Sequence, residues 1–228
     1  MPITSTIAIV AYQGVLADET EAFRFVLSRI AGSHLVTVGE RRGTVAGPGG
    51  VQIVDARFDE IGNPDVVAIP GGLGCHRHVE IAHWLRGIQP RWLLASSTGS
   101  ALLAAAGMLR DVSAATHWLA SSILERNGAH PSPDRLVIAG HIVTCTGRAS
   151  ALDAALVVAR SNGGSELVDR ILAELAEFRE EATRAKTGHG RRRHRRAPAP
   201  RTSIAEMAMG DAPVVMIELD DVAPRGRR

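Results

Sequence analysis

Residues 91–109 read RWLLASSTGSALLAAAGML. Trp92–Ser96 is an apolar run of strand length, and Thr98–Ala106 has the alanine- and leucine-rich composition of a buried helix. Only Ser97 is left between them to make the turn. A strand running straight into a helix sets its corner residue beside the first turn's unpaired N–H groups, where the helix dipole favours negative charge. This is the logic of a nucleophile elbow, in which a Ser or Cys is held on a sharp strand-to-helix turn. One such corner implies a parallel sheet, because parallel strands are joined through helices.

The chain on either side fits that reading. Upstream, Thr6–Tyr12 is an apolar, β-branched run suited to a central strand, broken at Gly14. GVLADE (14–19) then leads into a helix near Glu19–Ile30, with Ala22, Phe23, Val26, Leu27 and Ile30 at helical spacing. Leu35–Val38 reads as a second strand, and Thr44–Ala46 and Val51–Val54 as a hairpin around Gly-Pro-Gly-Gly. Val66–Ile69 is a third buried strand, ended by PGGLG, with a helix near Val79–Arg86. Downstream come a short segment at Ala114–His117, a helix near Leu119–Asn127, a hairpin of Arg135–Ala139 with Ile142–Thr146, and closing helices at Ala149–Ala159 and Glu166–Arg184. Strands alternating with helices predict an α/β fold, a flavodoxin-like, doubly wound, mostly parallel sheet with helices on both faces. The crevice of such a sheet lies beyond the carboxyl ends of its strands. GVLADE, PGGLGCHRH and the Ser97 corner should therefore converge.

Composition narrows the function classes. The 228-residue chain is 45% hydrophobic but only 4% aromatic, so its core must be built from Val, Ile, Leu and Ala. No apolar run approaches the roughly 20 residues of a membrane span, and no basic-then-apolar leader opens the sequence, so the expectation is a cytoplasmic protein without a membrane partner. Residues 186–228 hold ten Lys/Arg against five Asp/Glu, whereas 1–185 hold sixteen against nineteen. The expected organisation is a folded domain over 1–185 and a basic, Pro/Ala/Arg-rich, mostly disordered tail over 186–228. RRRHRR (191–196) is the one feature suited to phosphates, and with no folded reader behind it a nucleic-acid partner is not expected. PGGLG is not a phosphate loop, since no G-K-[ST] follows and no G-x-G-x-x-G opens a helix after the first strand.

GVLADE, VVAIPGG, ASSTG and AGMLRDVSAATHW, in that order, resemble the ThiJ/PfpI superfamily, whose fold is that of class I glutamine amidotransferases. The last stretch, with LERNGAHPSPDRLVIAGHIVTCTGRASALDAALVVA, is especially similar to isonitrile hydratases and to the amidotransferase-like sensor half of AraC-type regulators. The resemblance covers roughly residues 5–175. It implies a homodimer without a cofactor or metal, acting on a small-molecule substrate or binding a small ligand. It places the nucleophile position at Ser97, the following threonine of isonitrile hydratases at Thr98, and the acidic partner at Glu19 or, one residue earlier, Asp18. The backbone N–H groups of Gly71, Gly72 and Leu73, with that of Thr98, would form the oxyanion site.

Ser97 departs from the family's cysteine. A thiol at a helix N-terminus ionises readily, whereas a serine hydroxyl needs a base within hydrogen-bond reach and a third group to orient it. Glu19 and His117 are the two candidate bases. Without one, Ser97 is a relic of a cysteine site. Cys75, His76, His78 and His83 invite a zinc reading, but their crowding on one stretch favours a polar loop beside the crevice. Cys75 has a second reading as a relocated reactive thiol, its pKa lowered by Arg77 and the histidines. Cys145 reads as a buried small hydrophobe, and Asp153 as a packing or salt-bridge residue. Arg148 either reaches the crevice to hold a carboxylate or caps the sheet edge.

Overall fold

The computed structural model describes residues 5–188. Its elements follow the apolar runs: β1 (Ser5–Val10), α1 (Ala17–Leu27), β2 (Ser33–Gly39), the hairpin β3 (Gly43–Gly47) and β4 (Gly50–Val54), β5 (Ala56–Arg57) and β6 (Val66–Ile69). Then come α2 (Val79–Arg86), β7 (Trp92–Ser96), α3 (Ser100–Ala105), β8 (Ser113–Ala115), α4 (Ser121–Arg126) and β9 (His130–Ser132). The hairpin β10 (Leu136–Ala139) and β11 (Ile142–Cys145) and the helical run α5 (Arg148–Gly188) close the described chain.

Seven strands form one sheet in the order β10-β11-β7-β6-β1-β2-β5, parallel throughout except for β10 against β11. The chain builds outward from β1 to β2 and β5, then returns to add β6, β7 and β11 on the other side. The direction of winding therefore reverses between β1 and β6, and in sheets of this kind ligands bind at the carboxyl ends of the strands beside that reversal. Alternation along each strand divides the apolar residues between two cores. Ile7 and Ile9 pack with Phe23, Val26 and Val158 under α1 and α5, while Ala8 and Val10 pack with Ile81, Leu85 and Leu102 under α2 and α3. Each fully buried Leu, Ile or Phe contributes about 1.5–3 kcal/mol of transfer free energy.

The observed fold is the expected α/β sandwich, with local corrections. Helix α1 begins two residues before Glu19 and ends at Leu27. The helix expected over Thr98–Ala106 is a 3-10 turn, Ser97–Gly99, leading into α3, and that expected at Leu119–Asn127 is likewise a 3-10 turn, Trp118–Ala120, before α4. The two closing helices are one run interrupted at Gly164, whose φ of 68° and ψ of −168° are not helical. The three-residue strands β8 and β9, paired in parallel, and the two-residue β5 carry too few residues for a period-2 signal. The tail assigned to 186–228 lies outside the described residues from 189 onward, and 186–188 belong to the end of α5.

Candidate active site at the β7 elbow

Strand β7 runs into a 3-10 turn at Ser97–Gly99 and on into α3. Ser97 has φ of 53°, one of two non-glycine residues with positive φ among those described, and it is only 4% exposed. An L-residue held there costs on the order of 1–2 kcal/mol, so the surroundings must enforce it. Two glycines make room. A Cβ on Gly99 would stand 2.5 Å from the Ile69 carbonyl oxygen, and one on Gly71 would stand 2.6 Å from Ser97 Cβ. Ser100 Oγ and Thr116 Oγ1 both donate to the Ser97 carbonyl, at 3.0 and 3.1 Å, and pin the corner from below. The Ser97 hydroxyl itself has no hydrogen-bond partner among the described residues.

Of the two acidic candidates, Glu19 turns inward. It is 1% exposed, and its Oε2 accepts the Gly71 N–H at 2.7 Å and the Ser96 hydroxyl. Glu19 Oε2 and Ser97 Oγ each lie 3.0 Å from the point a Cβ on Gly71 would occupy, so the two groups meet around that bare Cα. Burial pushes the Glu19 carboxyl up from 4.5 to about 7, against the opposing pull of its bonds to Ser96 and Gly71. Asp18 faces elsewhere: Oδ1 accepts the Glu19 N–H at 2.9 Å, and Oδ2 meets Arg148 Nη1 at 3.4 Å. The Arg148 guanidinium is therefore beside Asp18, and its charge acts on Glu19 as well.

The glycine loop serves the site differently from the expectation. The Gly71 N–H is taken by Glu19, the Gly72 N–H by Thr98 Oγ1 at 2.9 Å, and the Leu73 N–H by the Gly14 carbonyl at 2.9 Å. Of the four amides assigned to an oxyanion site, the three on this loop are thus satisfied by the protein itself. Thr98 Oγ1 also donates to the Gly72 carbonyl at 2.9 Å, so this threonine clamps the loop to the elbow from both sides. The Leu73 side chain is exposed.

His117, the other candidate base, does not bond Ser97. His117 Nδ1 accepts the Leu119 N–H at 3.3 Å to cap the 3-10 turn, and its ring lies against Trp118. Its neighbour Thr116 contacts the elbow instead. Cys75 is buried, with its thiol donating to the Thr98 carbonyl at 3.1 Å, and burial pushes its pKa up. That reverses the sign expected for a thiol activated by Arg77 and the histidines. His78 turns away from Cys75 to the Glu40 carboxylate at 3.0 Å and the Gln13 carbonyl at 3.1 Å. Among the described residues no group of three His, Cys, Asp or Glu side chains could hold a metal ion. Cys145 is fully buried in the core under α5, and Asp153 is ion-paired with Arg135.

Sequence reasoning passed over Ser96 and Tyr12. Ser96 ends β7 and donates to Glu19; Tyr12 donates from its hydroxyl to the Pro70 carbonyl at 2.8 Å and walls the same loop. Ser96 was readable in one respect: alternation from Ala95 turns it to the face of the sheet that Glu19 shares.

The model of the DJ-1/PfpI family matches residues 6–161, which takes in every strand of the sheet and the whole site. The chain belongs to the DJ-1/PfpI family. It is 32% identical over 123 residues to an isonitrile hydratase from Pseudomonas putida, a match covering 52% of this chain. The chain spans about half, 54%, of that relative's length. A ThiJ/PfpI family protein from Pseudomonas syringae has the same fold, with a TM-score of 0.67 at 18% identity over 90% of this chain and 91% of that one. An AraC family transcriptional regulator from Pseudomonas putida also shares it, with a TM-score of 0.67 at 14% identity over 75% and 99% of the two chains. So does DJ-1 of Toxoplasma gondii, with a TM-score of 0.64 at 20% identity over 75% and 98%. Among the described residues no helix is long and apolar enough to cross a membrane.

Proposed function

We propose that this DJ-1/PfpI protein hydrates an isonitrile, or a related C–N multiple bond, to an N-substituted formamide, with Glu19 rather than Ser97 carrying the chemistry. One observation supports this above the others: a buried carboxyl, about half protonated near neutral pH, stands across Gly71 from an unpartnered hydroxyl on a strained corner. The terminal carbon of an isonitrile carries the lone pair and takes a proton first. Protonated Glu19 supplies it, leaving a carboxylate and a nitrilium cation. Water adds to that carbon and gives a proton back to Glu19, and the imidic acid so formed shifts its remaining O–H proton to nitrogen. The sum is one water added and one formamide released, with the Glu19 proton restored. A catalytic acid works best with a pKa near the working pH, and burial brings Glu19 there. Ser97 Oγ holds the water or the reacting carbon, and Thr98 keeps the loop on the elbow; no cofactor takes part. The working unit in this reading is a cytoplasmic homodimer, which large exposed apolar side chains such as Trp118, 75% exposed, support.

The test follows formamide release from alkyl isonitriles by wild type, Glu19→Gln, Ser97→Ala and Ser97→Cys. Glu19→Gln should lose at least about a hundredfold, the lower range of general acid–base catalysis. Ser97→Ala should lose less, and Ser97→Cys should gain. No turnover by wild type or by Ser97→Cys sinks the proposal.

A second reading, a ligand-binding module like the sensor half of a regulator, is favoured by the amides of Gly71, Gly72 and Leu73. With those donors already satisfied, none of the three is free to stabilise a developing oxyanion. Ligand-dependent stabilisation without turnover in any variant supports it.

A further inference from the structure

Arg148 occupies an electrostatically unfavourable place. It is the first residue of α5, where the helix dipole is already positive, and the first turn of α5 holds no acidic residue. It meets Asp18 at 3.4 Å, a long bond to a carboxylate that also serves the Glu19 N–H, and its charge also acts on Glu19. The side chain is 44% exposed, and a guanidinium has five donors, of which Asp18 takes one. The site behind it is unfilled in hydrogen-bonding terms. Ser97 Oγ, in a residue 96% buried, has no partner among the described residues, and neither does Glu19 Oε1, which lies 3.8 Å from where a Cβ on Gly147 would stand. Gly147, the residue before α5, thus adjoins the acid, and acid and serine flank Gly71.

From this arrangement we infer that the crevice selects small substrates carrying a carboxylate, bound by the Arg148 guanidinium at the mouth while the reacting carbon sits between Glu19 and Ser97. The inference rests on the hydration reading for what lies at the inner end, but the charge recognition stands on Arg148 alone. In chemical terms the substrate is an isonitrile of the α-isocyano acid type. The carboxylate displaces Asp18 from Arg148 and satisfies the helix start together with the guanidinium, as a planar fork suits a planar acid.

N-formylglycine, the hydration product of isocyanoacetate, is a stable probe of this site, and its methyl ester is the neutral control. Calorimetric titration of the full chain should give at least about tenfold tighter binding of the acid than of the ester, as a charge-assisted hydrogen bond warrants. Arg148→Ala should bring the acid-to-ester ratio close to one, and Arg148→Lys should restore part of it; unchanged circular dichroism shows that both variants fold. Equal binding of acid and ester by wild type, failure of the acid to bind, or a preference that survives Arg148→Ala overturns the inference. Turnover of methyl isocyanoacetate reads the hydration step separately. If the ester is hydrated with no preference for the acid, Arg148 recognition fails and hydration stands. If the acid binds selectively but no isonitrile is turned over, hydration fails and Arg148 recognition stands.

Discussion

Replacing Glu19 with Gln should change the pH dependence of stability in a way that measures what the fold costs to hold this acid. The carboxyl sits near 4.5 when exposed and is pushed to about 7 by burial. Below pH 4.5 it is protonated in both folded and unfolded chains, so the full stability is present. Between 4.5 and 7 the unfolded chain ionises while the folded one holds its proton, and stability falls as pH rises. Above 7 the loss is complete. The span of about 2.5 pH units, at 1.36 kcal/mol each, amounts to roughly 3 kcal/mol. Glutamine keeps the shape and an acceptor for the Gly71 N–H but has no charge to bury. Whatever it costs in lost hydrogen bonding to Ser96 is the same at every pH. Urea midpoints for the two proteins at pH 5 and pH 8 should therefore diverge, with the variant gaining about 3 kcal/mol on wild type at the higher pH. In melting temperature this is on the order of 6–12 °C for a chain of this size. Parallel stability curves across that range would refute the reasoning, because Glu19 would then ionise alike in the folded and unfolded chains.

Three further outcomes follow from the same geometry. Ser97→Gly should be more stable than Ser97→Ala by about 1 kcal/mol in chemical denaturation, since glycine alone adopts a φ of 53° without penalty. Gly71→Ala should lose about 1–3 kcal/mol and most activity, because its Cβ would press on Ser97 Cβ at 2.6 Å and force the loop off the elbow; a variant as stable as wild type would contradict that packing. Cys75 should resist iodoacetamide in the native protein at pH 6 and label only on unfolding, which peptide mapping would show; fast native labelling would restore it as a reactive thiol.

The architecture was legible in the sequence because it depends on local patterns. Apolar β-branched runs such as Thr6–Tyr12 and Val66–Ile69 can be buried on both faces only as central parallel strands. ASSTG leaves a single residue for a strand-to-helix corner. The same patterns required that GVLADE, PGG and Ser97 converge, since strand ends of one winding meet at its reversal point. Periodicity could not determine which of two adjacent acids faces the crevice. Asp18 and Glu19 differ by one residue on a helix, about 100° of rotation, and the choice was made by where α1 packs against β1 and α5. Nor could it give the state of the loop amides. The N–H groups of Gly71, Gly72 and Leu73 are consumed by Glu19, Thr98 and Gly14, residues 26 to 59 positions away in the chain. The sign of the Cys75 shift was hidden for the same reason: neighbouring Arg77 and His76 suggested activation, and burial against Thr98 reversed it. That a corner falls at Ser97 is a property of the chain's local sequence, whereas its strained φ is held by Gly71 and Thr116, which the fold brings to it. The neutralised acid beside it is a property of desolvation, which exists only once the sheet has brought Glu19, Gly71 and Ser96 together.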